Sequence, residues 1–127
     1  MDLFSKDLIL IPVHLGVHWV LVTMDMKKKE LTYFDSLHTS NPTCLRILSE
    51  YLRAEHQDKK NSPLVMEDWE MECPKNIPSQ ANGYDCGVFT CVNAERKSRD
   101  APLDYSQKDM LYFRRRISYE IITGSLF

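Results

Sequence analysis

Four residues of different chemical types could share one reaction: His18, Asp35, Gln80 and Cys86. Cys86 could act as a nucleophile, His18 could take the thiol proton and later protonate a leaving amine, and Asp35 could hold the imidazole in the right tautomer. Gln80 could donate an N–H group to an oxyanion, beside the backbone N–H of Cys86. Their types and order therefore predict nucleophilic catalysis by a thiol.

The segment around Cys86 predicts where that thiol lies. Asn82-Gly83 tolerates positive φ and indicates a turn, and Asp85 is suited to cap a backbone N–H group. The residues that follow are spaced for a helix packed into a core: Val88, Phe89, Cys91, Val92 and Ala94. Cys86 is thus predicted in the first turn of a helix, where the helix dipole and free N–H groups favour a thiolate over the free thiol, whose pKa is about 8.5.

Strand patterns predict how His18 and Asp35 are positioned. The predicted strands are Leu8–Val13, buried on both faces and ending near Pro12, then Val17–Met24 and Leu31–Asp35. The second and third flank a lysine-rich turn centred near Lys28, which predicts an antiparallel hairpin. His18 and Asp35 would then lie toward the same end of the pair, close enough to touch.

The remaining elements complete the prediction of one domain over residues 1–127. A helix is predicted from Pro42 or Thr43 to about His56, a short strand with one wet face around Trp69–Cys73, and a helix from Cys86 to about Lys97. A last helix opens at Ser106, with Met110, Phe113, Ile117, Ile121 and Ile122 on its apolar face. Arg114-Arg115-Arg116 on that helix is interpreted as a solvated face.

Composition limits the classes of partner and the compartment that fit this chain. The chain has 127 residues, 43% hydrophobic and 27% charged, with a formal net charge of −2. This balance gives no case for a nucleic-acid or membrane partner. The four cysteines form no Cys-x-x-Cys pair, so a reducing, intracellular setting fits best, and neither a disulfide scaffold nor a cofactor is expected. The first apolar run is too short to span a membrane.

Each candidate residue also has a simpler interpretation. Alone, His18 would more often be a core histidine, Asp35 a turn former at a strand end, and Cys86 a small buried apolar residue. His14 and His18 could be imagined as metal ligands with Cys86 or Cys91, but their spacing matches no structural zinc site. An accessible thiolate at Cys86 would also be easily oxidised to sulfenic acid, which would regulate the site.

Taken together, the motifs resemble one known family. His18-Trp19, Asp35-Ser36 and Gln80-x-x-x-x-Asp85-Cys86-Gly87, with their flanking residues and Tyr112-Phe113-Arg114-Arg115-Arg116, resemble the sentrin/SUMO-specific proteases, the Ulp family of cysteine peptidases. The matches occur in the family's usual order and cover nearly the whole chain.

The resemblance implies an α+β protein with a papain-like or adenain-like cysteine protease fold, a central mixed sheet flanked by helices. It implies cleavage after the C-terminal Gly-Gly of SUMO, in precursor processing or in deconjugation from target proteins, by a monomer in the nucleus and possibly the cytoplasm. By matching position, Cys86 is the nucleophile, His18 the base, Asp35 its orienter and Gln80 the oxyanion donor. Trp19 would line the narrow channel that accepts the two glycines, since an indole wall admits glycine and excludes a Cβ.

The same resemblance leaves alternatives open. The family's catalytic domain also has an N-terminal portion with modifier-binding surface, so we expect this chain to be the C-terminal part of such a domain. A non-catalytic module that binds the modifier, or that a partner completes, is therefore an alternative to an active peptidase. Gly83-Tyr84 is also compatible with relatives that act on the neddylation modifier, whereas Leu15-Gly16-Val17 before His18 favours SUMO.

Overall fold

A computed structural model describes all residues from 1 to 127. Its strands are β1 (Leu8–His14), β2 (Trp19–Asp25), β3 (Glu30–Phe34) and β4 (Glu70–Glu72), and its helices are α1 (Pro42–Lys60), α2 (Cys86–Ser98) and α3 (Met110–Thr123). Single 3-10 turns cover Leu3–Ser5, Met66–Asp68 and Gln107–Asp109. No helix of the structure has the length and apolar character that crossing a membrane requires.

The four strands form one mixed sheet in the order β1-β2-β3-β4. The first three pair antiparallel, and β4 joins β3 in parallel. Asp25 lies opposite Glu30 across the β2–β3 turn, as expected of the predicted hairpin. The predicted α+β class with a central mixed sheet is confirmed.

Strand β1 differs from its prediction. It lies at the edge of the sheet, its residues are half-buried or exposed, and it continues two residues beyond Pro12. The expectation of a strand buried on both faces is therefore wrong, whereas the strand does end near Pro12, one residue after the predicted bound. A continuous apolar run cannot distinguish a central from an edge strand, and an edge strand tolerates a proline because one side needs no N–H donor.

Helix α1 begins where predicted but runs four residues further. Asn41 caps it by accepting a hydrogen bond from the backbone N–H of Cys44, 3.1 Å away. The predicted polar connection after His56 is instead a last helical turn, because its charged and amide side chains suit a solvated helix as well as a loop. The helix ends at Lys60, and the next residue, Asn61, closes it with a left-handed backbone (φ 53°).

Two apolar clusters hold the sheet and helices together. The larger joins β2 and β3 to α1 and the segment before β4: Val20, Val22, Met24, Leu31, Tyr33, Leu45, Leu52, Met66 and Trp69. The smaller joins α2 to α3 and the segment between them: Val88, Phe89, Val92, Tyr105, Met110 and Phe113. Since α2 also packs on β2, this strand is covered on both faces.

Two predicted apolar faces are less buried than expected. Met71 in β4 is 50% exposed, although the alternation around it predicts a covered face. In α3 the buried stripe stops early, because Ile121 and Ile122 are 76% and 82% exposed. Sequence periodicity indicates which side chains share a face, but not how far the neighbouring elements extend over it.

Candidate active site

The site is built at the start of α2. Cys86 is the first residue of this helix, as predicted, and Asp85 is its N-cap. Phe89 donates the first intrahelical hydrogen bond, 3.0 Å to the carbonyl oxygen of Asp85. The backbone N–H groups at the start of a helix have no partner within it, so they and the helix dipole favour negative charge at Cys86. Cys86 is itself buried.

Asp85 does not cap α2 with its side chain, which corrects the sequence-based expectation. Its Oδ2 accepts hydrogen bonds from Asn82 and Gln107, each 2.8 Å long, and its Oδ1 accepts from Arg114 Nε at 2.8 Å. Burial alone would raise the pKa of the Asp85 carboxyl. These three donors and the charge of Arg114 instead hold that pKa below its ordinary value.

The turn before Cys86 is also made differently from the prediction. Neither Asn82 nor Gly83 has positive φ. The side-chain oxygen of Asn82 accepts hydrogen bonds from the backbone N–H groups of Tyr84 (3.1 Å) and Asp85 (3.0 Å). Asparagine side chains commonly build turns in this way without a left-handed residue.

His18 and Asp35 meet, as the hairpin predicts. His18 Nε2 lies 2.7 Å from Asp35 Oδ1, at the end of the β2–β3 pair. Burial would raise the pKa of the Asp35 carboxyl, but hydrogen bonds from Thr39, His18 and the backbone N–H of Leu37 hold this pKa below its ordinary value. An ionised Asp35 only accepts hydrogen bonds, so His18 Nε2 carries the proton and Nδ1 is left as a proton acceptor.

Gln80 is buried beside this pair, in a fixed orientation. Its Oε1 accepts a hydrogen bond from the Ser36 hydroxyl at 2.5 Å, and its Nε2 donates to the carbonyl of Asn82 at 2.6 Å. The amide carries two N–H donors, so one remains for another acceptor.

The predicted channel residue Trp19 lies next to the start of α2. A methyl group added at Gly87 would be 3.8 Å from Cδ1 of the Trp19 indole. Trp19 and Cys86 line one groove of about 590 Å³, together with Tyr84 and Arg114. His18 directly precedes Trp19 in the chain, and its imidazole hydrogen-bonds Asp35.

Sequence reasoning missed the residues that support this site: Ser36, Thr39, Gln107 and Arg114. Ser36 and Arg114 both lie in the motifs that carry the family resemblance, and Arg114 had a further signal. It follows the buried Met110 by one helical turn, so it borders the apolar face of α3. Arg114 is exposed, as a solvated face requires, but that interpretation missed its hydrogen bonds to Asp85 and to the carbonyl of Tyr84, 3.1 Å away.

The residues considered as metal ligands have other contacts. His14 stacks on Trp19 with ring centroids 4.5 Å apart, and His18 is bonded to Asp35. No group of three or more His, Cys, Asp or Glu side chains in residues 1–127 is arranged to hold a metal ion.

Asp85 makes the stability of the chain depend on pH. Its folded-state pKa lies below that of the unfolded chain, so its contribution to folding is complete above about pH 4 and is lost as the pH falls further. We expect Asp85→Asn to reduce the fall in the urea midpoint between pH 6 and pH 3. Glu67→Gln, at an exposed site, should keep the wild-type fall. Equal falls in wild type and Asp85→Asn would contradict this assignment.

Comparison with known proteins agrees with the geometry. The α+β fold, with its mixed sheet and a cysteine at the start of a packed helix, is consistent with the papain-like class. The chain belongs to the Ulp1 protease family, whose C-terminal catalytic domain matches residues 1–126. It is 41% identical to a sentrin-specific protease of Caenorhabditis elegans over 126 residues, and 41% identical to human sentrin-specific protease 2 over 128 residues.

Solved structures show the same fold. The C-terminal Ulp1 protease domain in complex with Smt3, the yeast ortholog of SUMO, matches 97% of this chain with a TM-score of 0.80 and 35% identity. The Ulp1-like SUMO protease catalytic domain of Chaetomium thermophilum matches 98% with a TM-score of 0.87 and 25% identity. The chain covers 55% and 49% of those two domains. The alignments with the worm and human relatives include 99% of this chain. They cover only 18% and 22% of the length of those two proteins.

Proposed function

We propose that this chain carries the catalytic core of a thiol peptidase that cleaves after the C-terminal Gly-Gly of SUMO, in its precursor or in SUMO-conjugated proteins. The observation that carries the proposal is the His18–Asp35 pair, 2.7 Å apart, next in the chain to Trp19, which shares a groove with Cys86 at the start of α2. Family membership and the Smt3 complex of the Ulp1 domain support SUMO as the modifier. We further propose that the chain acts as a monomer in the nucleus, as its family resemblance suggests.

In the first step, His18 Nδ1 takes the thiol proton of Cys86 and the sulfur attacks the carbonyl carbon of the second glycine. Asp35 accepts the hydrogen bond from Nε2 and stabilises the imidazolium that forms. The carbonyl oxygen becomes negative in this step, and it accepts hydrogen bonds from the free N–H of Gln80 and from the backbone N–H of Cys86. The imidazolium then protonates the leaving amine, and the acyl group remains on the sulfur.

In the second step, His18 takes a proton from water, whose oxygen attacks the thioester. The bond between the carbonyl carbon and sulfur then breaks, the Cys86 thiolate recovers the proton from the His18 imidazolium, and the modifier leaves with a free C-terminal carboxyl group, which ionises in water. The two glycines would pass through the groove beside Trp19, where a side chain larger than hydrogen would meet the indole.

A probe that ends in a thiol-reactive group after Gly-Gly tests this function. We expect the wild-type chain to form a covalent adduct with a SUMO probe, detected by mass spectrometry on Cys86, and none with a matching probe built on the neddylation modifier. An adduct with the second probe alone would favour a protease for that modifier. If a chain shown to be folded by circular dichroism forms neither adduct, the non-catalytic alternative is favoured.

A further inference from the structure

The hydrogen bonds of Asp85 pose a problem at the start of α2. An aspartate at an N-cap normally turns its carboxylate onto the free N–H groups of the first turn. There it would occupy donors and place a negative charge where the thiolate and oxyanion must develop. Asp85 is nonetheless the residue before Cys86, and its side chain is only 4% exposed. The Asp85 carboxylate would therefore disfavour the thiolate of Cys86 unless other groups hold it away from α2 and compensate its charge.

Arg114 does both. Its Nε donates a hydrogen bond to Asp85 Oδ1 at 2.8 Å, and its Nη2 lies 2.6 Å from the same oxygen as a close ion pair. Nη2 also donates to the carbonyl of Tyr84, and the guanidinium carbon lies 6.0 Å from the Tyr84 ring centroid. Gln107 and Asn82 hold the second carboxylate oxygen. The carboxylate thus has donors on both oxygens, none of them at the start of α2.

We propose that Arg114 is a positioning residue for the nucleophile, acting through Asp85. It keeps the Asp85 carboxylate turned away from α2 and compensates its charge, so that the first-turn N–H groups stay open for negative charge at Cys86. The inference rests on the proposed function only in taking Cys86 as the nucleophile. It requires no modifier to be bound.

Other charged groups near Cys86 do not replace this pair. From the sheet, His18 and Asp35 are paired with each other. On α2 and in the preceding turn, Cys91 and Tyr84 border the same groove, and neither carries a positive charge. From α3, Arg114 is the cation that lines the groove. Removing Arg114 would therefore leave the Asp85 carboxylate beside the thiol without a counter-ion.

The test follows alkylation of Cys86 by chloroacetamide across pH, with each cysteine quantified separately by mass spectrometry. In Arg114→Met we expect the pH of half-maximal alkylation to rise by roughly one unit, which slows the reaction about tenfold at neutral pH. In Asp85→Asn we expect it to fall, because the positive charge of Arg114 remains. The double variant should lie between the two. Arg115→Met, which changes an exposed neighbouring arginine, should match wild type.

Opposite shifts are the signature that a merely structural role would not produce. If Arg114 only stabilised the loop, both single variants would slow alkylation and the double variant would be slowest. That outcome overturns the proposal, as does a wild-type profile in Arg114→Met.

If Arg114→Met does not fold, Arg114→Lys, which keeps the charge, and Asp85→Asn decide the question alone. Then a profile near wild type for the first and a downward shift for the second are expected, and any upward shift in Asp85→Asn contradicts the proposal. Because no modifier is used, this result is independent of the probe experiment.

Discussion

Cys86→Ser is expected to reduce cleavage of a SUMO–Gly-Gly substrate by at least about 10³-fold while the chain stays folded. A serine hydroxyl ionises far less readily than a thiol, so the dipole of α2 and the His18 base cannot produce a comparable nucleophile. Oxygen is close to sulfur in size, and Cys86 heads a helix that Asp85 and Asn82 anchor independently of the thiol. The measurement is single-turnover cleavage together with circular dichroism.

Cys44→Ser is the matched control. Cys44 also lies in the first turn of a helix with a polar N-cap, in α1, and its backbone N–H is capped by Asn41. Burial raises the pKa of the Cys44 thiol, and Cys44 does not line the groove that Trp19 and Cys86 share. Cys44→Ser should therefore keep activity within about twofold. A Cys86→Ser chain with more than a few per cent of wild-type turnover would remove Cys86 from the nucleophile's role.

Asp35→Ala is expected to lower kcat by roughly 10²–10⁴-fold, with a smaller change in KM. Without the carboxylate, the His18 ring is free to rotate and to carry its proton on Nδ1, where it cannot accept the thiol proton. Asp35→Asn should lose less, because the amide oxygen can still accept from His18 Nε2 and from the backbone N–H of Leu37. The expected order of activity is wild type, then Asp35→Asn, then Asp35→Ala.

The other end of the same hairpin offers a control for structural damage. Asp25 also accepts backbone N–H groups two and three residues further on, at 3.1 and 2.9 Å, but it does not contact the imidazole. Asp25→Ala should therefore remove turn hydrogen bonds from the same hairpin and leave kcat within a few-fold of wild type. Equal losses in Asp25→Ala and Asp35→Ala would show that Asp35 acts on stability alone.

The parts of the site predicted from sequence are those fixed by local rules. A lysine-rich turn between two β-branched runs was enough to bring His18 to Asp35, because hairpin pairing follows from the turn. The apolar spacing after Asp85 was enough to place Cys86 at the start of α2. The catalytic roles of these residues, and of Gln80 and Trp19, stay predictions that the experiments above address.

The parts that sequence did not predict depend on side chains from distant elements. Gln107 and Arg114 reach Asp85 across 22 and 29 residues, and no period in the sequence relates them to the turn before Cys86. With those donors unknown, an N-cap aspartate was best interpreted as capping its own helix. The edge position of β1 could not be predicted for the same reason, because it depends on which strands pair in the sheet.

The hairpin also affects the order in which the residues of the site come together during folding. His18 and Asp35 are 17 residues apart and are joined once β2 and β3 pair, an event that is fast because it closes a short loop. Cys86 comes to them only when α2 docks on β2, which closes a much longer loop and proceeds more slowly. We therefore expect the acid–base pair to form before Cys86 is docked, so that a partly folded molecule would have the pair without its nucleophile.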